Sequence, residues 1–212
     1  MEKPLKIPRQ VKSQEVKDKI FQTAIDLIKN HGYEYVTVSN ICNVANVSVG
    51  SFYHHFHNKD DLMAYYLVAG YEKYKAHYTQ IETADIVKNI QQMYQLYINF
   101  CIEQGLPFLK NYYNTKNKGL DTRTHFSMGL VTALPIHQQA IVAIKKAQTA
   151  GYIRAEESAE DLSEELCTLE KGCMFDWCVS DGGFDLLALS DKMIRKYMLG
   201  ALTAQYDLEF PQ

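Results

Sequence analysis

Apolar side chains recur every three or four positions along most of this chain, and this spacing predicts an all-α protein of about nine helices. The first stripe belongs to a helix expected from about Ser13 to Gly32 and consists of Val16, Ile20, Ala24, Leu27 and Ile28. No period-2 strand pattern, internal repeat or low-complexity tract interrupts the helical pattern. The pattern therefore favours stacked helices throughout.

Residues 37–62 predict two short helices around a tight turn, followed by the start of a third helix. Thr37 and Ser48 stand where the hydroxyl that caps each short helix is needed. Asn46, between them, tolerates the left-handed backbone that such a turn requires. The second helix begins with small residues and continues with Tyr53, His54 and His55. This composition is typical of a helix-turn-helix whose second helix enters the major groove of DNA.

The rest of the chain predicts a bundle of further helices. Asn58 can cap the first of them, and Gly and Pro residues separate the others. The expected helical ranges are residues 59–78, 85–103, 107–114, 135–151, 159–179 and 185–205, with no clear pattern over 121–134. We therefore expect a helix-turn-helix domain over residues 1–58, including an N-terminal tail, and a second, wholly helical domain over residues 59–212.

Charge is distributed unevenly over these two parts. The net charge is −3, but residues 1–59 hold eight Lys and Arg against five Asp and Glu, and the remainder holds 14 against 20. The basic part contains the expected DNA-binding helix. The five cysteines form no C-x-x-C pair, and no leader or membrane-spanning run is recognised, so we expect reduced thiols in a cytoplasmic protein.

The pattern over residues 13–64 resembles the DNA-binding domain of the TetR (tetracycline repressor) family of bacterial transcriptional regulators. The matching positions are His31-Gly32-Tyr33, Thr37, Ile41, Ala45, Val47-Ser48, Gly50, Tyr53, His55-Phe56, Lys59 and Leu62. Cys42 departs from the family, which usually has alanine there. Weaker similarities lie at Ala147 to Ile153 and around Trp177 and Gly183 to Leu186. The resemblance implies a homodimer, an effector pocket in each C-terminal domain and repression released by a small molecule.

The expected DNA contacts follow from this geometry and resemblance. Val49, Gly50 and Tyr53 are the base-contacting candidates. The phosphate-contacting candidates are Thr37, Ser39, Ser48, Ser51, His54, His55 and Lys59. Thr37 and Ser48 serve equally well as caps without DNA, and a zinc site at His54 and His57 lacks a third ligand. Lys59 is the strongest phosphate candidate, because the sequence shows no packing or capping role for it.

A symmetric dimer would present two such helices about one helical turn apart (roughly 34–36 Å) over a pseudo-palindromic operator. We expect the dimer surface on the last two long helices, and the final one has an apolar face wider than one core contact needs. Its dimer-interface candidates are Leu189, Met193, Tyr197 and Ala201. The alternative is that this face belongs wholly to the core of the chain.

Tyrosine is abundant, and many of the 15 tyrosines stand at helical spacing in the C-terminal part. They line either a core or a largely apolar effector cavity, in which buried phenols would find hydrogen-bond partners. The candidates for effector contact are Tyr71, Tyr74, Tyr97, Cys101, Tyr113 and Phe126.

The sequence favours a homodimeric repressor that a small-molecule effector releases from a double-stranded DNA operator. Two other functions stay open: an effector-independent DNA-binding protein that recruits partners or organises chromosomes, and an activator. No catalytic motif, cofactor motif or metal site is recognised, so an enzyme is not expected. Residues 1–12 are either a frayed tail or a DNA-contacting arm.

Overall fold

The computed structural model describes residues 9–77, 83–115, 117, 120–121 and 136–210. The fold is all-α, as predicted, with ten α-helices in the described residues and one 3-10 turn at Tyr33–Tyr35. The helices are α1 (Arg9–His31), α2 (Val38–Ala45), α3 (Val49–His55), α4 (Lys59–His77), α5 (Ile86–Gln104), α6 (Leu106–Tyr112), α7 (Ile136–Thr149), α8 (Ala159–Val179), α9 (Leu186–Ala201) and α10 (Ala204–Glu209).

The chain divides into two compact units, one ending at Tyr66 and the other beginning at Leu67. The functional boundary expected after residue 58 stays a prediction. In the N-terminal unit, α1 packs against α2 and α3. Ile20, Ala24, Ile41 and Phe52 are fully buried in its core, which is small for an independent domain.

The C-terminal unit is built around α8. Helices α6, α7 and α9 pack against it, and α5 packs against α6, α7 and α9. Leu166 and Met174 of α8 are fully buried, as are Tyr94 and Tyr97 of α5. Among the helices that the structure describes, none combines the length and the apolar composition needed to cross a bilayer.

Two helix boundaries differ from the sequence prediction. Helix α1 begins at Arg9 rather than near Ser13, so part of the expected tail is helical. Helix α9 ends at Ala201 rather than near residue 205, because Leu202 pairs in an antiparallel bridge with Ile153. The chain then restarts as α10, which Thr203 caps by accepting a hydrogen bond from the Tyr206 N–H. The unclear stretch over 121–134 lies almost wholly outside the described residues.

Candidate DNA-binding surface and buried polar cluster

The helix-turn-helix is fixed by local hydrogen bonds at both helix starts. The Thr37 hydroxyl accepts a hydrogen bond from the Asn40 N–H at 3.1 Å, and the Ser48 hydroxyl accepts one from the Ser51 N–H at 3.0 Å. Between the helices, Asn46 adopts the left-handed conformation with φ 49° and ψ 53°. The Val47 N–H then donates to the Cys42 carbonyl at 3.0 Å. These bonds stop α2 and start α3 within four residues, as the sequence predicts.

Helix α3 has one buried face and one exposed face. Phe52 is fully buried and Phe56, just after the helix, is 2% exposed, so these rings anchor α3 in the unit. Val49 and Tyr53 are 49% and 55% exposed, and they lie one turn apart on the outer side. The Tyr53 ring meets the buried Phe52 ring edge to face with centres 5.5 Å apart, and the rest of Tyr53 and Val49 form a surface suited to another molecule.

The structure leaves most of the predicted DNA-contacting side chains accessible. Those that are exposed are Thr37, Ser39, Ser48, Val49, Gly50, Tyr53 and His54. Those that are partly buried are Ser51, His55 and Lys59. A Cβ added at Gly50 would meet only the Ser48 hydroxyl at an ordinary 3.7 Å, so the free protein does not need glycine there. Glycine does leave room for a close neighbour at this position.

Lys59 has a packing role that the sequence reasoning missed. Its ammonium lies 3.9 Å from the centre of the Tyr33 ring, within the range of a cation–π interaction. Burial lowers the pKa of Lys59, while Glu34 and Asp60 act in the opposite direction. Lys59 therefore does have a packing role, contrary to the sequence prediction, and its phosphate contact stays a prediction.

The three histidines of this segment have different surroundings. The rings of His54 and His55 are 4.9 Å apart. Burial lowers the pKa of His55, and the neighbouring charges of His54 and Lys17 lower it further. His57 instead lies beside Asp61, with its backbone N–H donating to the carboxylate at 3.0 Å, so it belongs to the start of α4. His54 and His55 are thus the two imidazoles carried by α3.

Lys17 is a second cation that the sequence prediction did not single out. Its ammonium lies 4.2 Å from the centre of the Tyr65 ring and 5.5 Å from that of Phe56. This contact joins α1 to the residue that ends α3. In the sequence, Lys17 is recognisable only as a lysine on the outer side of α1. Many helices have such a lysine, so the sequence alone does not single it out.

In the C-terminal unit, the structure brings together four of the predicted effector-contacting residues. The Tyr71 and Tyr97 rings meet edge to face with centres 5.2 Å apart, and the Tyr97 and Tyr113 hydroxyls are 3.3 Å apart. Cys101 is fully buried, and this burial is the largest of the effects that raise the pKa of its thiol. The Tyr74 hydroxyl donates to Glu103 at 2.9 Å, and its ring packs on Phe100, which also contacts the Tyr71 ring. Phe126 falls outside the described residues.

Glu170 of α8 joins these residues and was not predicted. It is 1% exposed, and its Oε1 accepts a hydrogen bond from the Tyr113 hydroxyl at 3.1 Å. Its Oε2 and the Tyr71 hydroxyl have no hydrogen-bond partner among the described residues. Burial raises the pKa of Glu170 from 4.5 to about 8, although Tyr113 and Lys171 oppose this shift. Each buried polar atom left unpaired costs about 1–3 kcal/mol, so the fold alone does not explain this group.

We call Tyr71, Tyr97, Cys101, Tyr113 and Glu170 the buried polar cluster. Two surface cavities of the same unit lie at other residues. One of about 530 Å³ is lined partly by Val87, Met198 and Phe210, and one of about 370 Å³ is lined partly by Arg154 and Leu162. Neither has a member of the cluster in its lining, and the prediction of an effector cavity at the tyrosines stays a prediction.

Helices α8 and α9 carry apolar residues on faces turned away from the core. Phe175 and Val179 are 49% and 65% exposed, on the side of α8 opposite Leu166 and Glu170. Gly172 of the same stripe has open space where a Cβ would stand.

The predicted interface residues of α9 differ among themselves. Leu189, Met193 and Tyr197 are partly exposed, and the Tyr197 hydroxyl donates to Glu165 of α8 at 2.5 Å. Ala201 is only 8% exposed, and its carbonyl accepts a hydrogen bond from the Arg154 N–H at 2.9 Å. Ala201 is therefore engaged mainly within its own chain and offers little surface to a partner.

Comparison with known proteins supports the resemblance seen in the sequence. Residues 20–66 match the family model described as bacterial regulatory proteins, tetR family. The matched residues run from α1 through the helix-turn-helix into α4. Comparison with curated protein sequences gives no match.

Several solved structures share the fold of the whole chain. One is Thermus thermophilus FadR, a TetR family transcriptional repressor in complex with lauroyl-CoA, with a TM-score of 0.70 and 20% identity over 88% of this chain and 95% of that one. A TetR transcription regulator from Haloarcula marismortui has a TM-score of 0.59 and 18% identity over 90% and 100% of the two chains. The fatty acid degradation regulator FadR from Bacillus halodurans has a TM-score of 0.54 and 20% identity over 87% and 95%.

The TM-scores show that these proteins share a fold with this chain. The family match adds that the helix-turn-helix region has the sequence pattern of the tetR family. The capped turn, the outward face of α3 and the family match all concern the same residues. Residues 20–66 therefore carry the DNA-binding domain of the TetR family of bacterial regulatory proteins, and the chain shares the fold of solved TetR-family regulators.

Proposed function

We propose that this protein is a homodimeric transcriptional repressor that binds a pseudo-palindromic DNA operator and leaves it when a small molecule binds. The observation that carries the proposal is the exposed face of α3, a helix that Ser48 caps and that the buried Phe52 anchors in the unit. The family match over the same residues supports DNA as the partner of this face.

The proposed contacts divide into bases and phosphates. The Tyr53 side chain and the Val49 methyl groups reach base edges, and Gly50 allows the backbone to approach the groove closely. The helix starts at Thr37 and Ser48 present hydroxyls and backbone N–H groups, which suit phosphate oxygens. The other proposed phosphate contacts are Ser39, Ser51, His54, His55 and Lys59.

Dimerisation is proposed through the outward faces of α8 and α9. Phe175, Val179 and the partly exposed Leu189 and Met193 supply apolar surface that the chain itself leaves uncovered. A two-fold axis would bring the same face of a second copy against it, and two α3 helices would then read two half-sites.

Release by an effector is proposed through the C-terminal unit. The buried polar cluster supports it, because two of its polar atoms have no partner among the described residues. The similar Thermus thermophilus FadR was solved with lauroyl-CoA, so a protein of this fold takes a small molecule. The alternative is an effector-independent DNA-binding protein, and the close packing of Tyr71 on Tyr97 favours it.

The test begins with selection of binding sites from random duplex DNA by the full-length protein. We expect a palindromic consensus that binds at least about a hundredfold more tightly than a scrambled duplex at the same salt concentration. Hydroxyl-radical footprinting should then show two protected patches on one face of the duplex, about one helical turn apart. No enrichment of any sequence, or equal affinity for the scrambled duplex, would contradict the proposal.

A further inference from the structure

The buried polar cluster contains one acidic side chain, Glu170, and no basic side chain. Glu170 is 1% exposed, and one of its carboxyl oxygens lacks a partner among the described residues. The neighbouring Lys171 does not fill this role, since its ammonium lies 3.7 Å from Glu164 and 3.2 Å from the Leu120 carbonyl. A buried acid with no cationic partner among the described residues would be stabilised by a positive charge placed beside it.

The groups around Glu170 are aromatic and uncharged near neutral pH. Burial raises the pKa of the phenols and thiols that interact with Glu170, which keeps these groups protonated: Tyr94, Tyr97, Cys101, Tyr113, Cys167 and Cys173. The electron-rich faces of phenol rings attract cations, and their hydroxyls accept hydrogen bonds from N–H donors. An anionic ligand would instead find no compensating positive charge among the side chains of this cluster.

The unpaired Tyr71 hydroxyl defines a second contact point. Its ring meets Tyr97 edge to face, and Tyr97 is linked through the Tyr113 hydroxyl to Glu170. The two unpartnered atoms thus belong to one connected set of side chains. A ligand that carries N–H donors can offer hydrogen bonds to both kinds of acceptor, a carboxylate and a phenol oxygen.

We propose that the effector is an apolar amine whose protonated nitrogen pairs with Glu170 and is surrounded by the phenols of Tyr71, Tyr97 and Tyr113. This inference rests on the proposed effector function of the C-terminal unit. It names the chemical class of the ligand: a hydrocarbon or aromatic body that ends in a protonated primary or secondary amine.

Pairing of an amine with Glu170 should change the number of protons that the protein holds, which can be measured. With a pKa of about 8, Glu170 is mostly protonated at pH 7 in the free protein. Pairing with an ammonium ion favours the ionised carboxylate, so the carboxyl proton leaves to the buffer while the amine keeps its own. Binding at pH 7 should therefore release close to one proton for each amine bound.

The experiment uses four probes on the full-length protein: decylamine, decan-1-ol, decanoate and lauroyl-CoA, each below its micellar concentration. Titration calorimetry at pH 7 in two buffers of different ionisation heat gives the affinity and the number of protons released. Glu170→Gln removes the charge at nearly constant shape. Glu156→Gln is the matched control, since Glu156 is exposed and lies just before α8.

We expect decylamine to bind at least about tenfold more tightly than decan-1-ol, because only the amine forms a charge-assisted bond. Glu170→Gln should lose at least about tenfold in amine affinity and release almost no proton, with alcohol binding unchanged within about twofold. Glu156→Gln should behave like the wild type. If Glu170→Gln does not fold, proton release by the wild-type protein alone decides the matter.

Three results would overturn the inference: tighter binding of decanoate or lauroyl-CoA than of decylamine, equal binding of amine and alcohol, or no binding of any probe. The same preparations are tested on the selected operator duplex, which separates the two proposals. Specific DNA binding without amine binding would contradict the proposed amine effector and leave the proposed regulator function standing. Absence of specific DNA binding in every preparation would contradict the proposed regulator function.

Discussion

Replacement of the buried acid Glu170 by Gln should remove a pH dependence from the stability of the C-terminal unit. Glu170 is 1% exposed, and burial raises its pKa from 4.5 to about 8. Since the folded pKa lies above the unfolded one, the folded protein holds this proton where the unfolded chain releases it. The associated stability is fully present below pH 4.5 and is lost as the pH rises to about 8.

The magnitude follows from the size of the shift. One pKa unit corresponds to about 1.4 kcal/mol, so this group alone should lower the free energy of unfolding by about 2–3 kcal/mol between pH 5 and pH 7. Gln carries no proton to lose, and the Glu170→Gln protein should lack this component. All other titrating groups are shared, so they cancel in the difference between the two proteins.

The assay is urea unfolding at pH 5, 6, 7 and 8, at one protein concentration and with a reductant for the five free cysteines. Fluorescence of Trp177, the single tryptophan, reports on α8 itself, where its indole N–H donates to the Phe184 carbonyl at 3.1 Å. The free energy of the Glu170→Gln protein minus that of the wild type should rise by about 2–3 kcal/mol from pH 5 to pH 7. A difference that stays constant within about 0.5 kcal/mol would refute the assignment of Glu170 as a buried protonated acid.

Three further predictions concern the helix-turn-helix and the outward stripe of α8. Ser48→Ala should lower the free energy of unfolding of the N-terminal unit by about 1 kcal/mol in chemical denaturation, because the cap of α3 is lost, and Ser39→Ala, which removes no cap, should have little effect. Operator affinity should rise as the pH falls from 7.5 to 6. Burial lowers the pKa of His55, so the free protein holds this imidazole mostly neutral, and a nearby phosphate favours its protonation in the complex. A His55→Gln protein with the same dependence of affinity on pH would contradict this. Phe175→Glu should reduce the mass in sedimentation from about twice 24.4 kDa to that of one chain, while Val142→Glu, at an exposed valine of α7, should leave it unchanged.

The helix-turn-helix could be predicted closely because its determinants are local. Thr37, Asn46 and Ser48 each act within three or four residues of chain, through caps and a left-handed turn. The side of α3 that faces outward follows from the burial of Phe52 and Phe56, which the helical period anticipates.

Other features could not be predicted because they depend on residues distant in sequence. Lys59 meets Tyr33 across 26 positions, and Glu170 meets Tyr113 across 57. The period of α8 does place Glu170 on the face of Leu166 and Cys173, so a check for acids on apolar faces would have found it. The end of α9 depends on a bridge between Ile153 and Leu202, which no local pattern encodes.

The central claim is that the outer face of α3 binds DNA bases, and Tyr53 is the more exposed of its two large hydrophobic side chains. The most direct test compares Tyr53→Ala with Glu15→Ala, a change at an exposed residue of α1, on the selected operator at fixed salt. We predict that Tyr53→Ala lowers specific affinity at least about tenfold with no change in thermal stability, and that Glu15→Ala keeps wild-type affinity. Full operator affinity in a folded Tyr53→Ala protein would contradict the claim.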